Sequence, residues 1–328
     1  MADYPQPDFQ PSGSSGNPDP QWERKLLEKL ASASLNEQRA RRRWGIFFKL
    51  LAFGYLAVFL FIALGLGGGD KLPDGKHTAV VYVHGTIDAT GAASAEKINA
   101  ALQSAFEDKG TAGVILRINS PGGSPVQSGI IYDEIKRLRT KYPDTPLYAV
   151  VEDLCASGGY YVASAADKIY ANKASLVGSI GVLMDGFGFT GTMDKLGVER
   201  RLLTAGENKG FLDPFSPQEP QQKAYAKAML EEIHRQFIEA VRKGRGNRLK
   251  ETPEIFSGLV WTGSQGVKLG LVDDYGTVDS VARDVIKADK LVDFSVKENL
   301  AERFAKRFGA DMAQSLVFKL FGEGPAVH

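Results

Sequence analysis

LYAVVEDLCASGGYYVASA, residues 147–165, reads as one strand–turn–helix unit. Residues 147–151 are aliphatic and β-branched, the composition of a short buried strand. Residues 158–165 read as a helix, which puts Ser157 at its N-terminus. Free N–H groups and the helix dipole favour negative charge there. A plain N-capping serine has the same local pattern, so this stretch alone leaves a cap and a nucleophile both open. A serine hydroxyl attacks only when a base removes its proton. The chain holds four histidines, His77, His84, His234 and His328. A lysine serves as base where burial or a neighbouring cation lowers its pKa. Lys209, in GENKG at 206–210, stands about fifty residues downstream of Ser157.

Upstream, VILRINSPGG at 114–123 gives a second strand, 114–118, that ends in the turn formers Asn119 to Gly123. Gly122 and Gly123 let the backbone turn tightly and come close to a ligand. N–H groups in such a turn are able to face a developing oxyanion. The pattern is equally that of an ordinary strand-to-helix turn. Cys155 has no basic neighbour in sequence and reads as a small buried apolar residue. His84 ends a strand at 79–83 and reads as a hydrogen-bonded turn residue. His234 lies in a helical run, 225–241, and reads as a helix-surface residue.

Taken together, ASGGYY at 156–161, ADKI at 166–169, GSIGV at 178–182 and the Asn119–Gly123 turn resemble the signal peptide peptidase A family of serine–lysine peptidases. The resemblance covers roughly residues 78–288. With no internal duplication, it is to the half-length form. It implies that Ser157 is the nucleophile and Lys209 the general base. It implies that Ser179 orients the lysine amine, and that Gly123 gives an oxyanion N–H with Gly122 shaping the turn. It implies no cofactor and no metal. The implied fold is α/β, a Clp/crotonase-like layered superhelix of βα units. The implied partners are remnant signal peptides as substrates and further copies of the chain in a homo-oligomeric ring.

Net charge is +1, which gives no argument for a nucleic-acid partner. A single cysteine excludes an intramolecular disulfide. Residues 4–20 are polar and rich in Pro, Gly, Ser and Asp, the composition of disorder, and 22–33 is a short amphipathic stretch. Arg39, Arg41, Arg42 and Arg43 precede an apolar run at 45–66, broken only by Lys49, whose ammonium can snorkel to the headgroups. About twenty-two residues suffice to cross a hydrocarbon core of ~30 Å. The run exceeds the h-region of a cleaved signal peptide, and the polar segment before it exceeds an n-region. The expectation is an uncleaved single-pass anchor in a bacterial inner membrane. The arginines hold the N-terminus in the cytoplasm and leave the rest periplasmic.

The expected organisation is a cytoplasmic segment at 1–44, the anchor at 45–66 and a linker at 67–77. A peptidase domain follows at 78–295, then an amphipathic segment at 296–328. Within the domain, strands at 78–83, 113–118 and 147–151 alternate with helices at 94–106, 126–141 and 158–165. A strand-like stretch at 200–203, a long helix at 218–243 and a short one at 278–288 follow. Leu300, Phe304, Phe308, Met312, Leu316 and Leu320 recur at helical spacing and fit a helix packed on the domain or a neighbouring subunit, or one lying on a membrane. Two rival readings stand beside the peptidase. A crotonase-type acyl-coenzyme A enzyme has no need of Lys209. A catalytically inactive membrane scaffold has no need of the serine, the lysine and the glycine pair together.

Overall fold

The computed structural model describes residues 20–63 and 75–296. They belong to two units, a long helix and an α/β domain. The helix, α1, runs Pro20–Ala63 without a break. It joins the amphipathic stretch, the arginines and most of the apolar run. Its section Arg41–Phe61 has 21 residues and a mean hydropathy of 1.9, long and apolar enough to cross a membrane. Trp44 stacks on Phe48 and meets Phe47 edge-on, an aromatic cluster next to the arginines. Residues 4–19, 64–74 and 297–328, with their expected disorder, anchor end, linker and C-terminal helix, lie outside the described residues.

The domain opens with β1 His77–His84, α2 Ala95–Glu107, β2 Thr111–Ser120, α3 Pro125–Lys141, β3 Leu147–Ala156 and α4 Gly158–Ala163. Next come β4 Lys168–Ala171, β5 Leu176–Gly178, α5 Thr190–Leu196 and α6 Pro220–Arg245. The last elements are β6 Val260–Thr262, α7 Gly263–Leu269, β7 Asp274–Tyr275, α8 Val278–Ser280 and β8 Leu291–Asp293. The sheet order is β6-β5-β3-β2-β1-β8, with β4 beside β3 and β7. Its pairings are parallel apart from β5 with β6. β1 and β2 read as continuous aliphatic runs because parallel strands are covered on both faces. Ser94 and Ser124 cap α2 and α3 through their side chains, and Pro125 opens α3 where its missing N–H costs nothing.

The expected alternation holds over the first three strands and helices, with ends shifted by a few residues. Two segments differ. The helix expected at 278–288 begins as α8 and continues as a π-helix, Val281–Ile286. Residues 200–203 form no strand. A strand exists only against another edge, and this stretch has none: Leu203 is 97% exposed.

One buried cluster stiffens the domain behind α4. Arg245, 1% exposed, donates to Asp273 at 2.8 Å and to Gly270 O at 2.9 Å. Burial pushes the Asp273 carboxyl up, but its bonds to Arg245, the Arg245 charge and the Ile169 N–H outweigh that and hold it below the usual range. Next to this cluster the buried Tyr160 hydroxyl donates to Leu271 O at 2.8 Å. That bond ties α4, with Ser157 at its head, to the segment after α7.

Candidate active site

β3 and β5 run parallel with Ala156 beside Gly178, so Ser157 and Ser179 take the next positions on two adjacent strand ends. Both depart from ordinary backbone in the same way, with φ +52. Ser157 N donates to Gly178 O at 2.8 Å, and Ser179 N donates to Leu259 O at 2.8 Å. Positive φ in a residue with a Cβ costs of order 1–3 kcal/mol and gathers at functional sites. Ser157 occupies the N-cap position of α4 with ψ −126, yet its hydroxyl makes no capping bond. The cap reading is therefore excluded, and the oxygen is left without a hydrogen bond among the described residues.

The glycine turn lies directly against this serine. A Cβ on Gly122 would fall 2.7 Å from Ser157 Cβ and 2.6 Å from Gly158 N. A Cβ on Gly123, at φ +146, would fall 2.1 Å from Ile87 O. Ile87 N donates to Gly122 O and Ser124 N to Ile87 O, each at 2.8 Å. That bridge uses the groups on either side of Gly123 N–H and leaves it without a partner among the described residues. Gly158 is the first residue of α4, so its N–H has no acceptor within the helix. The two groups are neighbours: a Cβ on Gly158 would sit 3.2 Å from Gly123 N. Two free N–H groups beside a free serine oxygen form the arrangement that stabilises a tetrahedral oxyanion.

The structure thus brings Ser157, Ser179, Gly122 and Gly123 together. Lys209 is not joined to them within one chain. Its backbone N–H closes a turn on Gly206 O at 3.0 Å, its side chain is exposed, and its Nζ makes no hydrogen bond among the described residues. His84 is exposed at the end of β1. His234 is half-buried rather than free on the helix surface, with Nε2 3.1 Å from Ile180 O. It tethers the segment that follows Ser179. Cys155 is buried on β3, and burial pushes its thiol up, away from a reactive thiolate. Among the described residues no group of three or more His, Cys, Asp and Glu side chains is placed to hold a metal ion.

The sequence reading missed two parts of the site. Gly158 N–H is a backbone group, although the free N–H groups of a helix head after Ser157 were the signal for it. Ile87 comes from a loop with no motif of its own.

The model of Peptidase family S49 matches residues 139–292, a span that holds Ser157, Ser179 and Lys209. The chain is 34% identical over 232 residues to an Enterococcus faecium protein named for signal peptide peptidase SppA, covering 68% of this chain and 67% of that one. It is 32% identical over 257 residues to a Haemophilus influenzae protein named for the protease SohB, covering 76% and 69%. It is also 44% identical over 209 residues to the "Na(+)/H(+) antiporter NhaA" of Brucella abortus (strain 2308), covering 62% of this chain. The match spans 28% of that protein, whose name describes a molecule more than three times longer than the shared part.

Proposed function

From the premise that this chain belongs to peptidase family S49, a family of serine proteases, we propose that it is a membrane-anchored serine–lysine endopeptidase. The observation that carries the reading is the free Ser157 oxygen, set at strained backbone beside the free N–H groups of Gly123 and Gly158. Ser157 Oγ attacks the peptide carbonyl carbon while the amine of Lys209 takes the hydroxyl proton. The carbonyl oxygen becomes an oxyanion held by the two N–H groups. Collapse breaks the C–N bond, and Lys209 gives its proton to the leaving amine. Water then attacks the acyl-serine with Lys209 again as base. Ser179 orients the lysine amine, as the third group does in triads.

Lys209 reaches Ser157 from a neighbouring copy in this reading. A lysine works as a base only where its charge is disfavoured, and the exposed Lys209 finds such a place in a ring, against the strand ends of the next subunit. The domain's parallel sheet with helices between its strands supports the Clp/crotonase-like layered superhelix. α1 supplies residues 45–63 of the anchor, with the arginines in the cytoplasm and the peptidase domain in the periplasm. The substrates are remnant signal peptides, released in the membrane beside the anchor. The name of the Enterococcus relative points the same way.

The reading is tested with the full chain in detergent on an apolar peptide. Ser157→Ala and Lys209→Ala each lose about 10⁴-fold or more in kcat, and the double variant loses no more than either, because the two groups act as one unit. Substantial turnover by Lys209→Ala sinks the dyad. Orientation is checked on spheroplasts: added protease cleaves the domain from outside, whereas full protection reverses the assignment.

A further inference from the structure

We infer that Ser120 is a positioning residue for the oxyanion turn: its hydroxyl holds the Pro121–Gly122 peptide, the one just before the peptide that carries the Gly123 N–H. The inference rests on the reading of Ser157, Gly123 and Gly158 as the reacting site. Ser120 ends β2 and is fully buried. Its single hydroxyl hydrogen is given to Gly85 O at 2.6 Å, and its oxygen accepts from Gly122 N at 3.1 Å. Gly122 is therefore held at both ends, by Ser120 at its N–H and by Ile87 N at its C=O. The next N–H along the chain is that of Gly123.

The turn needs such a lock. Gly122 and Gly123 both adopt positive φ, at +99 and +146, and glycine crosses between wells at little cost. Pro121 has no N–H with which to hold the preceding peptide. The same residue also touches the serine's own element: a Cβ on Gly159 would lie 3.1 Å from Ser120 O and 3.3 Å from its Cβ. One buried residue thus touches three elements: its hydroxyl links the residue after β1 to the glycine turn, and its backbone oxygen and Cβ lie against the first turn of α4. Removing the hydroxyl leaves the buried Gly122 N–H and the half-buried Gly85 O without this partner. Rotation of the Pro121–Gly122 peptide finds the Gly122 N–H another partner and, through the φ and ψ of Gly122, carries Gly123 N–H off its aim.

The test compares full-length wild type, Ser120→Ala, Ser120→Cys and Ser157→Ala on an apolar peptide. Active sites are counted by end-point labelling with a fluorophosphonate. Per titrated site, Ser120→Ala loses about 100-fold in kcat, the scale of a misplacement near 1 Å, while KM stays within about threefold. Ser120→Cys, similar in size but a weaker donor, falls between. A purely structural role lowers the number of titrated sites and leaves kcat per site unchanged, which overturns the inference. So does a loss carried by KM alone. Where Ser120→Ala does not fold, Ser120→Cys is read by the same criteria. An active Ser157→Ala brings down the site reading itself and the inference with it. An inactive Ser157→Ala beside a fully active Ser120→Ala brings down only the inference.

Discussion

The strand ends around Ser157 and the segment around Lys209 are built on opposite terms. Around the serine, each turn is pinned. Ser157 N–H, Gly122 O and Ser124 N–H all have backbone partners, and a Cβ on Gly122, Gly123 or Gly158 meets another atom within 2.7 Å. From residue 181 to 225 no residue is buried. Leu183, Phe187 and Leu203 are 79%, 80% and 97% exposed there, with Lys209 among them. A pinned backbone can hold donors ready for a charge that exists only in the transition state. A segment without a core cannot disfavour the charge on a lysine. In the proposed mechanism the first region supplies a preorganised half of the reaction, and the second carries the base together with exposed apolar surface.

The sharpest way to break this comparison is to separate the halves onto different chains. Ser157→Ala and Lys209→Ala subunits are each inactive. Mixed under conditions that allow exchange, they regain activity at interfaces that join an intact serine to an intact lysine. Random pairing restores up to about a quarter of wild-type activity, a rise of more than about 10³-fold over either variant alone. A mixture that stays inactive despite proven subunit exchange places the base in the serine's own chain. The exposed segment then has to fold back onto its own strand ends.

Ser179 tests where the boundary between the two regions falls. It belongs to the pinned half by backbone, one register step beyond the Ala156–Gly178 pair, while its proposed partner is the lysine of the exposed half. Ser179→Ala lowers kcat by roughly 10- to 1000-fold, the scale of one catalytic hydrogen bond. That is less than the loss of serine or lysine, because water can take part of an orienting group's place. Full activity in the steady-state assay removes Ser179 from the site and leaves its strained backbone to structure alone.

The same contrast governs what was legible in the sequence. β1, β2 and β3 announce themselves because strands covered on both faces must be aliphatic throughout. Ser157, Ser179 and the glycine pair are legible because a tight turn and the proposed nucleophile need particular residue types. β4, β5, β6, β7 and β8 run only two to four residues, too short for any periodicity, and are strands because an edge lies beside them. Residues 200–203 show the converse, a strand-like composition without an edge. Gly158 N–H has no side-chain signature, and Ser120 reads in sequence as one more turn former. Lys209 is legible as a residue type at a spacing. Its partner is not, since spacing along one chain says nothing of which chain completes the site.

The smallest expected effect concerns strain. Ser157 keeps φ +52 and ψ −126 in the pinned half, a conformation that suits glycine. Ser157→Ala removes the hydroxyl and keeps the Cβ that opposes this backbone. Ser157→Gly removes both. Relief of strain is worth about 1–3 kcal/mol, and the greater freedom of glycine in the unfolded chain takes back about 0.4–1 kcal/mol. Ser157→Gly is therefore more stable than Ser157→Ala by about 1 kcal/mol. In a domain of this size that is a Tm higher by about 2–4 °C. Both variants lack the attacking oxygen, so activity and any self-cleavage are equal and absent, and the difference reads strain alone. Thermal unfolding of the two side by side decides it. Equal midpoints, or a less stable glycine variant, mean that the neighbouring turns impose no strain at Ser157. The pinned region would then be ordered without being tense, and the free position of the serine oxygen would follow from the helix head alone.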